Sequence, residues 1–390
     1  MRKLVFLIML MAGIFRLVGC WNRRELDQLA IVSGIAIDQA EEKDKIKVTA
    51  QIIKPGDIQI TGESGGGGGG GGKPYLNVTN TGDTFFETLM RFTHFVDRRL
   101  YLPHNEVLIF GDKMARSGVH KCMDFFLRDA ETRLTTWVVV AKGEAGEVLD
   151  AKAELEKIPA MNLSMLIDAY VATSEVIASN VNMFGQRLMS KTTAPIASLV
   201  EVEKTGEEKK ARLVGTAVFR KDKLVGYLTL TETRGLLWVL NKVRSGIIVV
   251  QEPDGKGEVS LEILRAKCEL TPGLKNDGTP YIMVKIKEEA NLGEERGSAN
   301  LMSMEAWTIL EKHQAGVIRH EIESALAKAR QLKADIFGFG EEIYKKYPAV
   351  WKKLEPHWDE IFPELEVKIA VEADLRRTGL TTRPAVPEAG

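Results

Sequence analysis

The sequence contains few of the residues that cross-link small proteins or bind metal ions. Its 390 residues include three cysteines, Cys20, Cys122 and Cys268, which are too few for a disulfide scaffold and are not grouped like zinc ligands. None of the six histidines stands in an HExxH motif, so no metal site is predicted. Two interpretations of Cys122 and Cys268 stay open: small buried apolar side chains, or a disulfide, which an exported protein permits.

The chain also lacks an excess of charge of either sign. Lys and Arg total 53 and Asp and Glu total 54, which gives a net charge of −1. A nucleic-acid-binding protein normally has a basic excess that neutralises phosphates, so we exclude this class. Apolar residues make up 44% of the chain, which is enough for a folded core and excludes an acidic disordered protein.

Motifs of the common catalytic sites are missing as well. The sequence has no GxSxG elbow, no SxxK pair and no dinucleotide-binding fingerprint. The eight consecutive glycines at 65–72 lead into Lys73-Pro74, whereas a phosphate-binding loop needs Lys followed by Ser or Thr. They therefore predict a flexible loop. We expect a protein that is not an enzyme, with no catalytic residue and no cofactor.

No apolar run is long enough to cross a membrane. Residues 4–15 carry no charge, but these twelve residues fall short of the roughly 20 that a transmembrane helix needs. The run follows Arg2 and Lys3 and has the length of the hydrophobic region of a signal peptide. We therefore predict that residues 1–19 are a signal peptide that is removed on export.

The predicted signal peptide ends in a motif for lipid attachment. Leu17-Val18-Gly19-Cys20 resembles the lipobox of bacterial lipoproteins, in which the cysteine sulfur forms a thioether to diacylglycerol before cleavage. Small residues in front of the cysteine let the backbone fit the peptidase. We predict Cys20 as an S-diacylglycerol and N-acyl cysteine, with fatty acids such as palmitate. Two or three acyl chains hold a protein stably on a membrane.

The mature chain mixes strands and helices without a regular βαβ alternation. This pattern predicts α+β architecture with largely antiparallel or mixed sheets flanked by helices. The most polar central window is 201–210, and we place a domain boundary there. The predicted organisation is an N-terminal α+β region at 20–205, which may hold more than one domain, a C-terminal α+β region at 206–380, and a flexible tail at 381–390.

Hydrophobic periodicity predicts the individual elements. Strands are expected at 29–38, 45–53, 75–78, 106–110, 135–141, 216–220, 223–229, 259–270, 281–288 and 365–373. Helices are expected at 84–96, 113–127, 144–156, 173–189, 231–242 and, as a long amphipathic helix, 304–332. The apolar phase switches near Ile263, which predicts a bulge. Gly338 and Gly340 are expected to stop the long helix, and Trp351, Trp358 and Phe362 to pack against the last sheet.

Several short motifs occur in a fixed order along the chain. They are Cys20-Trp21-Asn22-Arg23-Arg24-Glu25-Leu26, the strand 29–38, Arg98-Arg99-Leu100 with His104-Asn105, Gly215-Thr216-Ala217-Val218-Phe219, Glu232-Thr233-Arg234-Gly235, Asp335-Ile336-Phe337-Gly338-Phe339-Gly340, Trp351 with Trp358 and Phe362-Pro363, and Arg376-Arg377-Thr378-Gly379. In these motifs the chain resembles the Ger(x)C lipoproteins, the C subunits of spore germinant receptors in endospore-forming bacteria.

The resemblance implies a fold, a location and partners. It implies a three-domain α+β lipoprotein on the outer face of the spore inner membrane or the cell membrane. There it would act with a multi-spanning A subunit and a transporter-like B subunit, in a complex that senses small nutrients and triggers germination. Cys20 is the one functional residue that the resemblance transfers, and it does not identify the nutrient.

Two other functions remain as alternatives to a receptor subunit. A solute-binding lipoprotein that serves a transporter would have two α/β lobes and a saturable cleft, and the irregular order of elements disfavours it. An envelope hydrolase is supported only by the expected location of the protein.

Overall fold

The computed structural model describes residues 25–42, 44–57, 73–206, 208–297, 301 and 303–377. Cys20, the glycine tract at 65–72 and the predicted tail at 381–390 lie outside the described residues.

The described strands form a large sheet and a small sheet. The strands are β1 Leu29–Gln39, β2 Ile46–Ile53, β3 Tyr75–Gly82, β4 Arg99–Tyr101, β5 Val107–Gly111, β6 Trp137–Ala141, β7 Ile196–Thr205, β8 Glu208–Arg220, β9 Lys223–Leu228, β10 Ile247–Gln251, β11 Glu258–Leu274, β12 Pro280–Glu295 and β13 Glu366–Leu375.

Helices cover both sheets. The described α-helices are α1 Phe85–Arg91, α2 Asp112–Ser117, α3 His120–Arg128, α4 Ala145–Leu149, α5 Pro159–Thr173, α6 Val181–Met189, α7 Leu230–Val239, α8 Met304–Leu332, α9 Phe339–Lys346, α10 Pro348–Leu354 and α11 Trp358–Ile361. Short 3-10 turns occur at Leu26–Gln28, Pro55–Asp57, Phe92–His94, Leu102–His104, Glu355–His357 and Phe362–Glu364.

The large sheet has a parallel centre and antiparallel edges. Its order is β3-β2-β1-β5-β6-β7-β8-β9, with the short β4 beside the start of β1. β1, β5, β6 and β7 run parallel, and the hairpins β1–β2 and β8–β9 are antiparallel. We call the end where the four parallel strands begin the amino pole, and the end where they finish the carboxyl pole.

Both faces of the large sheet are covered by helices. The strands β5 and β6 are continuous runs of apolar residues, as strands buried on two sides require. One face packs against α1, α2, α3 and α6 through residues such as Phe85, Phe126 and Phe184. The other face packs against α4 and α5 through residues such as Leu149 and Leu163.

The small sheet packs on the long helix α8. Its order is β10-β11-β12-β13, antiparallel except that β13 runs parallel to β12 after the crossover through α8. Ile318, Ile322 and Ala325 of α8 are buried against this sheet and α7. The register between β11 and β12 shifts between Ile263 and Arg265, where the bulge was predicted.

The α+β class with mixed sheets is confirmed, and so is the span of α8. Trp351, Trp358 and Phe362 are buried, and the two tryptophan rings lie 5.1 Å apart in a T-shaped pair, as the packing prediction required.

Several predictions about helices are wrong. The helix expected at 113–127 is two helices, α2 and α3, which are separated at Gly118, where φ is 128°. The helices expected at 144–156 and 173–189 are α4 and α6, which are shorter, and α5 was not predicted at all. The long helix does not stop at Gly338 and Gly340. It ends at Leu332, because Lys333 adopts a left-handed conformation with φ of 52° and caps it. Gly338 instead precedes α9, with φ of 81°.

The polar window 201–210 forms the ends of β7 and β8 and the turn between them. These two strands pair over ten positions from Thr205–Glu208 inwards, so strands from both sides of residue 205 lie in the large sheet. The division into regions 20–205 and 206–380, and the three domains that the resemblance implies, stay predictions.

Candidate functional site

The predicted lipid-attachment residue lies outside the described chain, but the described chain begins close to it. Glu25 is the first described residue, and the 3-10 turn Leu26–Gln28 leads directly into β1. The chain therefore enters the folded body at the amino pole of the large sheet. Attachment of lipid to Cys20 stays a prediction.

At the carboxyl pole, Asp38 links the end of β1 to the start of α4. Its carboxylate accepts hydrogen bonds from the backbone N–H groups of Ala145, at 2.7 Å, and Gly146, at 3.0 Å. Burial raises the pKa of this carboxyl, although the two backbone hydrogen bonds oppose the shift. Gly111 lies so close that a Cβ there would overlap with the carboxylate. Asp38 is therefore occupied in capping a helix.

A second polar group at this pole joins α2 to β9. Asp112 is hydrogen-bonded to the Tyr227 hydroxyl and to Arg116 Nε, the latter at 2.9 Å. Burial alone would raise the pKa of Asp112, but the hydrogen bonds from Arg116 and Tyr227 outweigh it and lower the pKa. Burial and the hydrogen bond with Asp112 raise the pKa of Tyr227 to about 12. The phenol is therefore neutral at physiological pH.

These groups line an open crevice of about 1270 Å³ at the carboxyl ends of the parallel strands. Open α/β sheets often bind ligands at this edge. The crevice carries charges of both signs, and several are already paired, as in Lys47 with Glu144 at 2.8 Å. Among the described residues, no histidine or cysteine lines it. The arrangement can bind a polar or charged molecule or surface.

A buried ion pair fixes α7 to α8. Arg234 Nε lies 3.0 Å from both carboxylate oxygens of Glu321, which also accepts from Trp238 Nε1 at 2.8 Å. Arg234 Nη1 donates to the carbonyl oxygen of Ile247. Gly235 lets the two helices approach, because a Cβ there would overlap with the Glu321 carbonyl. The motif Glu232-Thr233-Arg234-Gly235 therefore holds α7 against α8 in the interior of the protein. We call such a buried set of hydrogen bonds between elements a lock.

The motif that begins at Asp335 is a second lock. The Asp335 carboxylate accepts hydrogen bonds from the backbone N–H groups of residues 337–340 and from Trp358 Nε1. Burial raises its pKa to about 6, against the effect of these hydrogen bonds. Nearby, Arg187 of α6 donates to the carbonyl oxygens of Ala194 and Ile336, and burial lowers its pKa to about 10. This contact joins the large-sheet layer to the C-terminal helices.

The two cysteines in the described residues are free thiols in different cores. Cys122 is buried on α3 beneath the large sheet, and Cys268 packs against the core of the small sheet. The interpretation as buried or part-buried apolar side chains is therefore confirmed and the disulfide is not formed. Burial raises the pKa of each thiol to about 12, which leaves neither as a nucleophile.

The described residues contain no group of three or more His, Cys, Asp or Glu side chains placed to hold a metal ion. Within the same residues, no helix combines the length and the apolar character of a membrane span.

The sequence did not lead us to predict the locks or the crevice, although a local signal exists for Asp38 and for Asp335. Asp38 directly follows the apolar run of β1, and Asp335 precedes a Phe-Gly-Phe-Gly turn. A carboxylate at such places is typical of a cap. The partners of Asp38 stand 107 and 108 positions away in the chain, which no local pattern indicates.

Known proteins match this chain along nearly its whole length. The family model "Spore germination protein N-terminal domain" matches residues 22–202, and "Spore germination B3/ GerAC like, C-terminal" matches residues 214–379. Spore germination protein KC of Bacillus subtilis (strain 168) is 30% identical and the alignment covers 98% of each chain. Spore germination protein B3 of the same organism is 27% identical over 90% of this chain and 92% of its own.

A solved structure has the same fold. The crystal structure of the GerBC protein superposes with a TM-score of 0.57 at 22% identity, covering 90% of this chain and 99% of that one. The sequence motifs, the two family models and the full-length relatives agree. The chain belongs to the Ger(x)C family of spore germination proteins.

Proposed function

We propose that this protein is the lipid-anchored C subunit of a spore germinant receptor. Lipid on Cys20 holds it on the outer face of the spore inner membrane, where it acts through contacts with membrane-embedded A and B subunits. The observation that carries the proposal is the match to spore germination protein KC over 98% of the chain. The lipobox at Leu17-Val18-Gly19-Cys20 supports the anchor.

The proposed action is non-catalytic. The charged side chains described above form hydrogen bonds within the protein. Asp38 binds the start of α4, Arg234 binds Glu321, and Asp335 binds a turn. Side chains that are paired in this way stabilise the fold and do not supply a reactive atom. The effect on germination would come from the shape and charge of the exposed surfaces.

Deletion of the gene in the native organism tests the proposal. We expect nutrient-triggered germination to fall sharply, while germination by an agent that bypasses the receptors stays normal. Complementation with the wild-type chain should restore the response. An unchanged nutrient response in a strain without other members of the family would contradict the proposal.

The solute-binding alternative has one observation in its favour, the crevice of about 1270 Å³ lined by charges of both signs. A thermal-shift series with amino acids, sugars and nucleosides tests it. A saturable shift that the Arg116→Ala variant loses would favour solute binding. The absence of any shift would leave protein contacts as the function of the crevice.

A further inference from the structure

Three of the exposed large apolar side chains lie at the amino pole of the large sheet. Phe95 is 70% exposed, Leu76 46% and Leu134 45%. Together with the part-buried Val96 we call these four residues the apolar patch. Side chains of this size are costly to leave in water, and a cluster of them indicates a surface that is covered in the working protein.

Local contacts place the patch where the chain enters the fold. Leu76 and Val96 line a groove of about 460 Å³ together with Leu29, the first residue of β1. Phe95 directly precedes Val96. The loop that contains Leu134 is joined to this pole by the ion pair between Glu131 and Arg99, at 3.1 Å. Arg99 pairs in register with Leu29.

The length of the tether limits what can cover this patch. Five residue steps separate Cys20 from Glu25, the first described residue. A fully extended chain spans at most about 3.5 Å per residue, so the acyl chains on Cys20 attach within roughly 18 Å of Glu25. A body held this closely by its amino pole meets the bilayer surface with that pole.

The charges at this pole are compatible with a lipid surface. Lys73, Arg98 and Arg133 are exposed there and form no ion pair among the described residues. Arg23 and Arg24 add two cations to the tether, whereas Asp27 and Asp97 offset part of the charge. Anionic headgroups attract such cations modestly. The apolar side chains are therefore expected to provide most of the contact.

From this geometry we propose that the amino pole rests on the membrane and inserts the apolar patch, of which Phe95 is the most exposed member, into the headgroup region. This orientation rests on the proposed lipid attachment at Cys20. It directs the charged crevice at the carboxyl pole away from the bilayer. The crevice then stays open to the extracytoplasmic parts of partner subunits or to solutes.

Fluorescence labelling of the full-length, lipid-bearing protein tests the proposal. An environment-sensitive nitrobenzoxadiazole probe is attached to the thiol of the Phe95→Cys variant. The same protein carries Cys268→Ala, so that the part-buried thiol at that position does not react with the probe. The protein is reconstituted into vesicles of phosphatidylglycerol and phosphatidylethanolamine without partner subunits. We expect a blue-shifted emission and several-fold weaker quenching by aqueous iodide than for the same probe at Leu155→Cys.

Leu155 is a matched control because it is apolar, 95% exposed and distant from the patch. Its neighbour Glu154 pairs with Lys210 of the β7–β8 hairpin, whose turn lies at the carboxyl pole. Flotation of the vesicles separates the two proposals. If the protein floats but both probes are quenched equally, the patch does not meet the bilayer. If the protein purified from the native membrane does not float, the anchor and the orientation are both wrong.

Discussion

Gln51 and Asp38 of the large sheet have more hydrogen-bond partners than two buried carboxylates of the small-sheet half, Glu252 and Glu288. In the large sheet, Gln51 donates to Asn77 Oδ1 and the Leu149 carbonyl and accepts from the backbone of Ala160, while Asp38 has two backbone donors. In the small-sheet half, Glu252 and Glu288 are buried with carboxylate oxygens that have no hydrogen-bond partner among the described residues.

This difference makes the two halves respond differently to pH. A buried polar side chain whose donors and acceptors are all hydrogen-bonded stabilises the strands and helices that it joins. It does so at every pH that leaves those hydrogen bonds intact. Glu288 has a carboxylate oxygen without a donor and burial raises its pKa, so the folded protein favours its neutral form. The small-sheet half should therefore lose stability at Glu288 when the pH rises, whereas the network around Gln51, which does not titrate, should not change.

The largest expected effect is in the small-sheet half, at the carboxylate of Glu321, which is hydrogen-bonded to Arg234 and Trp238. Glu321→Ala leaves Arg234 buried without its partner and removes the acceptor of Trp238 Nε1. Breaking a buried ion pair in this way costs about 3–5 kcal/mol. Chemical denaturation followed by circular dichroism measures the loss. Glu323→Ala, an exposed neighbour on the same helix, is the control and should change stability by less than about 0.5 kcal/mol.

A pH series sharpens the comparison directly. Burial raises the pKa of Glu288 to about 8 from an ordinary value near 4.5, although Gln314 donates to it. Because the folded protein then holds a proton that the unfolded chain has released, the free energy of unfolding falls as the pH rises from about 4.5 to 8, by an amount on the order of a few kcal/mol. Glu288→Gln keeps the shape and removes the titrating group.

We expect the Glu288→Gln protein to lose most of this slope and to be more stable than the wild type at pH 8. The part-buried neighbour Glu289, paired with Arg265 and Arg376, serves as the control site, since its pKa is lowered to about 2 by those partners. A Glu288→Gln slope identical to the wild-type slope would show that the pH dependence arises elsewhere.

In the large sheet a smaller effect is expected at Asp38. Asp38→Ala removes the acceptor of two backbone N–H groups at the start of α4, which costs about 1–3 kcal/mol. Glu41→Ala, exposed at the same pole, controls for the loss of charge. Equal stabilities of these two variants in urea denaturation would mean that the α4 cap does not hold the carboxyl pole together.

The smallest effect concerns an exposed pair. Asp124 and Arg128 lie one helical turn apart on α3, with 2.8 Å between Oδ2 and Nε. Asp124→Ala should reduce the free energy of unfolding by only about 0.3–0.5 kcal/mol, because water screens such pairs. A loss above 1 kcal/mol in the same denaturation assay would contradict the ranking by burial.

Elements with a strong local pattern were predictable from the sequence. The period of α8, the β8–β9 hairpin and the phase switch at Ile263 are properties of consecutive residues. The helix α5 was missed because exposed Met161 and Met165 blur its buried stripe of Leu163 and Ile167. The lock between Arg234 and Glu321 was missed because these residues stand 87 positions apart.

The anchored-receptor account is tested most directly by Cys20→Ala in the native organism, with the membrane-bound fraction and nutrient-triggered germination measured in the same spores. The account predicts that the protein leaves the membrane fraction and that the germination response falls with it, while Cys268→Ala changes neither. Retention of the Cys20→Ala protein in the membrane with a normal germination response would contradict the account.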